Sequence, residues 1–333
     1  MPQPCLYAVL VLASLGGCVA EIADTSSTEQ AGTNMQGTNM QGINMQGTNM
    51  QGTNMQGFRL DGATLSGHQL SNVRVENGEV VAERHNHTLR GAELVGAHFD
   101  AQVEDLTTTP PTTALVEYRI TSVAAENPAY DPTGTGNSFL YTLEQRVDDE
   151  GSWQPACSAD VDGRRVAIPL AATWDAHGDR ADGGALFTFG CTTGVIAKCY
   201  RWGYRPWVSG YGDLATMHWT CTRLARADYC GNGVPHTQNG TWVNVWDTLP
   251  APGPVQAHGT TPLGMVFEAG WSTQGAVCLS RTRWLSSEIQ QITNGCPDRL
   301  IPPGLGETVC DGENEALGFG PQAMMFNESY LNL

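Results

Sequence analysis

Positive charge is scarce in this sequence. Lysine and arginine number 17 against 34 aspartates and glutamates, a formal net charge of -17, and Lys198 is the only lysine. A field of that sign repels phosphate backbones and offers no counterion release, so nucleic acid is excluded as a partner. It equally disfavours adhesion to anionic headgroups, which leaves a covalent link as the route to a membrane. Long apolar runs are missing too. The best is Leu6 to Leu15, about ten residues against a hydrocarbon core of roughly 30 Å. No Gly-rich phosphate loop and no Ser-His-Asp arrangement is present. Asp160-Val161-Asp162-Gly163 starts a calcium-loop pattern but lacks the downstream bidentate acid, and reads as a plain turn. His85, His87 and His98 have no ligand spacing tied to cysteines, so neither a metal nor a cofactor is expected.

An export pattern opens the chain. Leu6 to Leu15 has the length of a signal-peptide core, and the Leu15-Gly16-Gly17-Cys18 directly after it resembles the lipobox of bacterial lipoproteins. By that resemblance residues 1–17 are a signal peptide and Cys18 is acylated, giving membrane attachment through a covalent lipid; a plain secretory signal is the alternative. No Asp follows Cys18, which favours the outer membrane or cell surface. Setting aside Cys5 and Cys18 leaves Cys157, Cys191, Cys199, Cys221, Cys230, Cys278, Cys296 and Cys310. In an oxidising compartment this even set reads as a framework of up to four disulfides, with roughly a hundred pairings open.

After a linker at 18–32, a five-residue period runs through TNMQG, TNMQG, INMQG, TNMQG, TNMQG, FRLDG, ATLSG, HQLSN and VRVEN, and returns as AELVG and AHFDA at 92–101. The pattern resembles the pentapeptide-repeat family, which implies a short right-handed β-solenoid over 33–103. Its inward column would be Met35, Met40, Met45, Met50, Met55, Leu60, Leu65 and Leu70, with Leu94 and Phe99 in the later pentads. For 33–57 an unstructured, charge-free spacer is the alternative.

Pro110 and Pro111 mark a linker at 104–113, and short β-rich runs separated by turn clusters come after it. The fold class expected is therefore α+β and β-dominated, a short solenoid followed by a disulfide-stabilised globular domain with at least one amphipathic helix. That helix is read from Leu214, Met217, Cys221, Leu224 and Asp228 at steps of three and four, with Gly231 as its terminating glycine. A continuous helix would hold Cys221 and Cys230 about 13.5 Å apart, so each must pair elsewhere. Asp228 on the apolar face demands a partner.

The run Thr222 to Gly233, containing Ala227-Asp228-Tyr229-Cys230, resembles the signature of the ADYC domain, a bacterial extracytoplasmic family. Ala171 to Asp175, Phe187 to Cys191, Ala197 to Cys199, Gly203 to Trp207, Phe267 to Trp271 and Gly275-Ala276 support the likeness. It implies an ADYC-like domain over 114–297 with a C-terminal extension at 298–333, and implies no activity. Two functional readings remain. An envelope hydrolase would use Asp228, His236 and Glu268; against it, Asp228 and Thr237 would tie down the turn after Cys230 by local hydrogen bonds. A non-catalytic interaction or structural module would offer Trp202, Tyr204 and Trp207 to a glycan or protein ligand, unless these rings form the core. The second reading is preferred, because paired cysteines leave no thiolate nucleophile.

Overall fold

The computed structural model describes residues 38–40 and 63–330, apart from short stretches at 106–111, 131–137, 148–150, 161, 176, 183–185, 238–240, 251–252, 285–291, 293, 297–309 and 320–321. Cys18, and the Met35, Met45, Met50, Met55 and Leu60 positions of the expected column, lie outside the described residues. Among those described, no helix is long and apolar enough to cross a membrane.

β1 (Thr38–Met40) comes from the TNMQG pentads. β2 (Thr64–Leu65), β3 (His68–Gln69), β4 (Ser71–Glu76), β5 (Glu79–Arg84) and β6 (His87–Arg90) are next, then a 3-10 turn at Gly91–Leu94 and β7 (Ala97–Asp105). Among the described residues these pentads build no right-handed solenoid. They fold as antiparallel hairpins, β2 on β3 and β4 on β5 on β6. The reason lies in the turns. Ser66-Gly67, Asn77-Gly78 and His85-Asn86 all take positive φ at both positions, between 50 and 76° at each, which is the two-residue turn whose twist matches paired antiparallel strands. The apolar column itself points inward, for Leu65, Leu70, Leu94 and Phe99 are buried.

β8 (Thr112–Ala125) and β9 (Phe139–Val147) are the longest paired strands after this. β7 pairs along β8 from His98↔Arg119 to Asp105↔Thr112. The expected linker at 104–113 is therefore partly strand, and the repeat-derived segment shares a sheet with the globular part of the chain. β10 (Gln154–Pro155), β11 (Val166–Leu170), β12 (Ala172–Trp174), β13 (Arg180–Asp182) and β14 (Thr188–Cys191) come next. The eight-stranded sheet runs β14-β11-β9-β8-β7-β2-β3, with β10 beside β9. On β8, Val116, Tyr118 and Ile120 face a core shared with Phe99, Tyr141, Phe187 and Phe189, while Glu117 and Arg119 face out, the period-two pattern of a half-buried strand.

Helices α1 (Val195–Arg201) and α2 (Leu214–Arg226) are joined by Cys199–Cys221. Asp213 caps α2 by accepting from the Thr216 amide. The helix stops at Ala227, left-handed at φ 52°, and not at Gly231. β15 (Thr241–Asp247), β16 (Val266–Ser272), β17 (Gly275–Leu279), α3 (Glu313–Phe319) and β18 (Met325–Ser329) complete the chain. Their sheet has the order β1-β15-β18-β16-β17. The expected C-terminal extension thus supplies the central strand, fully buried along its length. Alternation is hidden in such a strand because both faces are covered.

This packing generates two expected outcomes. Truncation before Met325 removes the strand that bonds both β15 and β16, and should abolish cooperative unfolding; a truncated chain melting within a few degrees of the intact one would refute the central role. The second concerns His218 on α2, whose Nε2 donates to the Ile196 carbonyl on α1 at 2.9 Å beside Trp174. Burial, helped by Arg180, pushes its pKa from 6.5 down to about 3. The unfolded chain then takes up a proton that the folded one refuses, so this stability is complete above pH 6.5 and declines as the pH falls towards 3, by up to about 1.4 kcal/mol per pH unit. His218→Gln should flatten that decline in urea unfolding between pH 7 and 4.5, and equal slopes in both proteins would count against it.

Candidate functional site

The tightest concentration of buried charge surrounds Ala227 to Cys230. Ala227 turns the chain out of α2 in the left-handed conformation, and the Asp228 amide bonds back to the Arg223 carbonyl at 3.0 Å. This points the Asp228 carboxylate inward, fully buried. Its Oδ1 accepts from the Asn232 amide at 3.1 Å, and its Oδ2 from the Gly233 amide at 3.0 Å and from Arg223 Nη1 at 2.6 Å. Arg223 reaches further. Its Nε donates to the Thr273 carbonyl, and its remaining donors meet the His177 carbonyl and the Asp179 carboxylate. One guanidinium therefore joins α2, the turn after β12 and the β16–β17 hairpin.

Tyr229 lies on the other side. Its ring stacks on Trp271 at 5.3 Å, and its hydroxyl donates to Glu268 Oε1 at 3.0 Å while accepting the Arg283 amide at 3.1 Å. Burial first, then the Glu268 charge, hold its pKa well above the usual value. Arg283 grips Glu268 through Nε, at 3.0 and 3.1 Å, and through Nη2, at 2.7 Å. Burial would lower the Arg283 pKa, yet Glu268 and Tyr229 hold it above the ordinary value. The same guanidinium donates to the Leu224 carbonyl and to Thr237 Oγ1. Cys230 is bridged to Cys296. Gly275 lets the β16–β17 hairpin close on this turn: a Cβ there would stand 2.5 Å from the Tyr229 carbonyl, which accepts from the Ala276 amide at 2.9 Å.

The three candidates for hydrolysis do gather around Tyr229. Asp228 and Glu268 are each 0 % exposed and consumed by arginines. His236 is half-buried, with its ring 5.7 Å from that of Tyr229 and its amide bonded to the Arg226 carbonyl. Burial lowers its pKa, with Asp228 opposing and Arg226 reinforcing. Both carboxylates are closed off from solvent in this arrangement. The eight late cysteines are bridged as Cys157–Cys191, Cys199–Cys221, Cys230–Cys296 and Cys278–Cys310, so Cys221 and Cys230 do pair elsewhere. No set of three or more His, Cys, Asp or Glu side chains among the described residues converges in metal-ligating geometry.

The aromatic candidates need correcting. Trp202 and Tyr204 are buried, with the Tyr204 hydroxyl on Asp247 at 2.9 Å, and Trp207 is half-buried against Tyr200 at 4.6 Å. The β4–β5 turn covers that pair, since a Cβ on Gly78 would meet Tyr200 at 2.3 Å and Trp207 at 2.6 Å. These rings are core, and they close the core because an early hairpin reaches them. Sequence reasoning overlooked two other tryptophans. Trp153 lies between Arg119 at 4.2 Å and Arg146 at 4.8 Å, with His98 edge-on; the alternating charges Glu117-x-Arg119 and Glu144-x-Arg146 signalled this outward face. Trp242 on β15 is 49 % exposed, and no local pattern set it apart from Trp246.

Breaking one buried pair should cost more than removing both partners. Arg283→Met strands the Glu268 charge and should lower stability by about 3–5 kcal/mol in urea unfolding. Adding Glu268→Gln, which keeps an acceptor for Tyr229, should recover part of that loss. Strictly additive effects would show that the two side chains are not coupled.

Among known families, the ADYC domain model matches residues 91–285, and the pentapeptide-repeat model matches 31–74 in eight copies. No curated protein and no solved structure matches the chain.

Proposed function

The chain belongs to the ADYC domain family, whose model spans more than half its length, and from that premise we propose that it is a non-catalytic interaction or structural module displayed at the cell envelope. The observation that carries this reading is where the family signature goes. Ala227 turns the chain, Asp228 neutralises Arg223, Tyr229 braces Glu268 and Cys230 is crosslinked. All four are spent on holding elements together, and none faces solvent.

Export supports the same reading. The four crosslinks suit an oxidising compartment. In the proposal, residues 1–17 direct export, Cys18 carries a lipid in the outer membrane, and the Thr- and Met-rich pentads space the domain from it. The ligand is a protein. The described large apolar residues with the greatest exposure are Leu263 at 98 %, Val266 and Trp242, and Val266 and Val243 both register with Ser329, which sets them at one end of the five-stranded sheet. Exposed aliphatic side chains suit a protein partner better than a sugar. An envelope hydrolase using Asp228, His236 and Glu268 is disfavoured by the burial of both carboxylates.

Mass spectrometry of the protein purified from its host tests the proposal directly. We expect a diacylglyceryl cysteine at position 18, no alkylatable thiol among the eight late cysteines, and no ester, amide or glycoside turnover that depends on His236. Turnover that drops at least a hundredfold in His236→Ala, or a mature protein with reduced cysteines and a bare N-terminus, would overturn it.

A further inference from the structure

Arg226 breaks the pattern set by the other buried arginines around the signature turn. Arg223, Arg226 and Arg283 have no exposed side-chain surface, and neither do Asp228 and Glu268, so three guanidinium charges face two carboxylates. Glu268 is held by Arg283. Asp228 stands 2.6 Å from Arg223 but 3.9 Å from Arg226, beyond hydrogen-bond range. Asp179 also meets Arg223, but its side chain is 49 % exposed, where water screens it. Arg226 Nη2 donates to the Gly233 carbonyl. Its Nε and Nη1 are buried and meet no acceptor among the described residues, and no other described side chain has two such atoms.

We propose that Arg226 forms a binding site for one small monovalent inorganic anion, a halide such as chloride, behind the loop at 233–237.

Charge selects the ligand first. A guanidinium keeps its proton at neutral pH even when buried. Burial draws the Arg226 pKa down from 12.5 to about 10, with Asp228 opposing and Arg223 reinforcing, and the group is still charged. An unmatched charge in a protein interior is strongly unfavourable, so the stable arrangement includes a counter-charge. Water can accept from Nε and Nη1 but brings none. Size follows from burial. A carboxylate carried on another protein is too bulky to reach a guanidinium with no exposed surface, whereas a single ion can pass the loop. That loop is the way in: Val234 is exposed, and Pro235, His236 and Thr237 are half-buried. It is fastened to the end of α2 by the Gly233 carbonyl on Arg226 Nη2 and by the His236 amide on the Arg226 carbonyl at 3.1 Å. An anion here links the stability of the signature turn to the surrounding halide concentration.

Thermal unfolding of the full chain, disulfides intact, tests this at constant ionic strength when chloride replaces gluconate, which is too bulky to enter. The midpoint should rise by about 3 °C once chloride stands roughly tenfold above its dissociation constant. Arg226→Met should abolish that rise, and Arg90→Met, at a side chain 45 % exposed, should retain it. Crystals of the unsubstituted protein grown in bromide should give an anomalous-scattering peak against the Arg226 guanidinium, and this measurement decides if Arg226→Met does not fold. The proposal fails if the midpoint is the same in chloride and gluconate, if Arg226→Met keeps the full rise, or if bromide sits on exposed arginines alone, an adventitious ion only. None of these readings involves turnover, acylation or a protein partner, so the result is independent of the functional proposal.

Discussion

The fold turns on two arginine–carboxylate pairs buried on either side of Tyr229. Arg223 with Asp228, and Arg283 with Glu268, have no exposed side-chain surface. Taking four charges out of water is costly unless each is met by opposite charge and well-placed hydrogen bonds. That condition ties distant segments together. Arg223 requires Asp179 and the His177 and Thr273 carbonyls, and Arg283 requires the end of α2, so α2, the turn after β12, the β16–β17 hairpin and the segment around Arg283 must all be in place at once. Each pair then acts as a check on the whole arrangement. This explains why stretches as far apart in sequence as Ala171–Asp175, Ala227–Cys230 and Phe267–Trp271 form one signature: they end at one place.

The same logic explains the distribution of covalent crosslinks. Among the described residues three separate apolar clusters pack, one under the eight-stranded sheet, one around α1 and α2, and a small one near Trp246 and Phe326. Cys157–Cys191 fastens the first and Cys199–Cys221 the second. Cys278–Cys310 anchors the segment leading to α3 and β18 in the third. By closing loops in the unfolded chain, each crosslink limits the entropy lost on bringing remote segments together. Cys230–Cys296 locks the turn that carries the ion pairs. An accessible catalytic centre at this turn would have to open the most heavily constrained part of the molecule.

Local patterns revealed the parts governed by local physics. The apolar face of α2 was legible from its three-and-four spacing, and the need for a partner at Asp228 from its place on that face. The inward column Leu65, Leu70, Leu94 and Phe99 was legible from the five-residue period. The period did not reveal how the backbone turned. Asn77-Gly78 is the strongest hairpin signal in the segment, with Ser66-Gly67 and His85-Asn86 weaker signals of the same kind, and these turns decide the backbone path. The end of α2 was misplaced because Ala227 takes a left-handed conformation that alanine seldom adopts, and the ion pairs below it hold it there.

Residue order alone was enough for composition-level facts: a strongly acidic chain with an even set of late cysteines, a charge-free repeat, a β-dominated domain and one amphipathic helix. Those come from residue types and short spacings, which act over a few ångströms along the chain. Three-dimensional packing settled which cysteines meet, that the last strand sits at the centre of its sheet, that an early hairpin covers Trp207, and that two carboxylates resembling an active site are sealed by arginines. Each of these depends on residues tens to hundreds of positions apart, brought together by burial and charge pairing that no local pattern encodes.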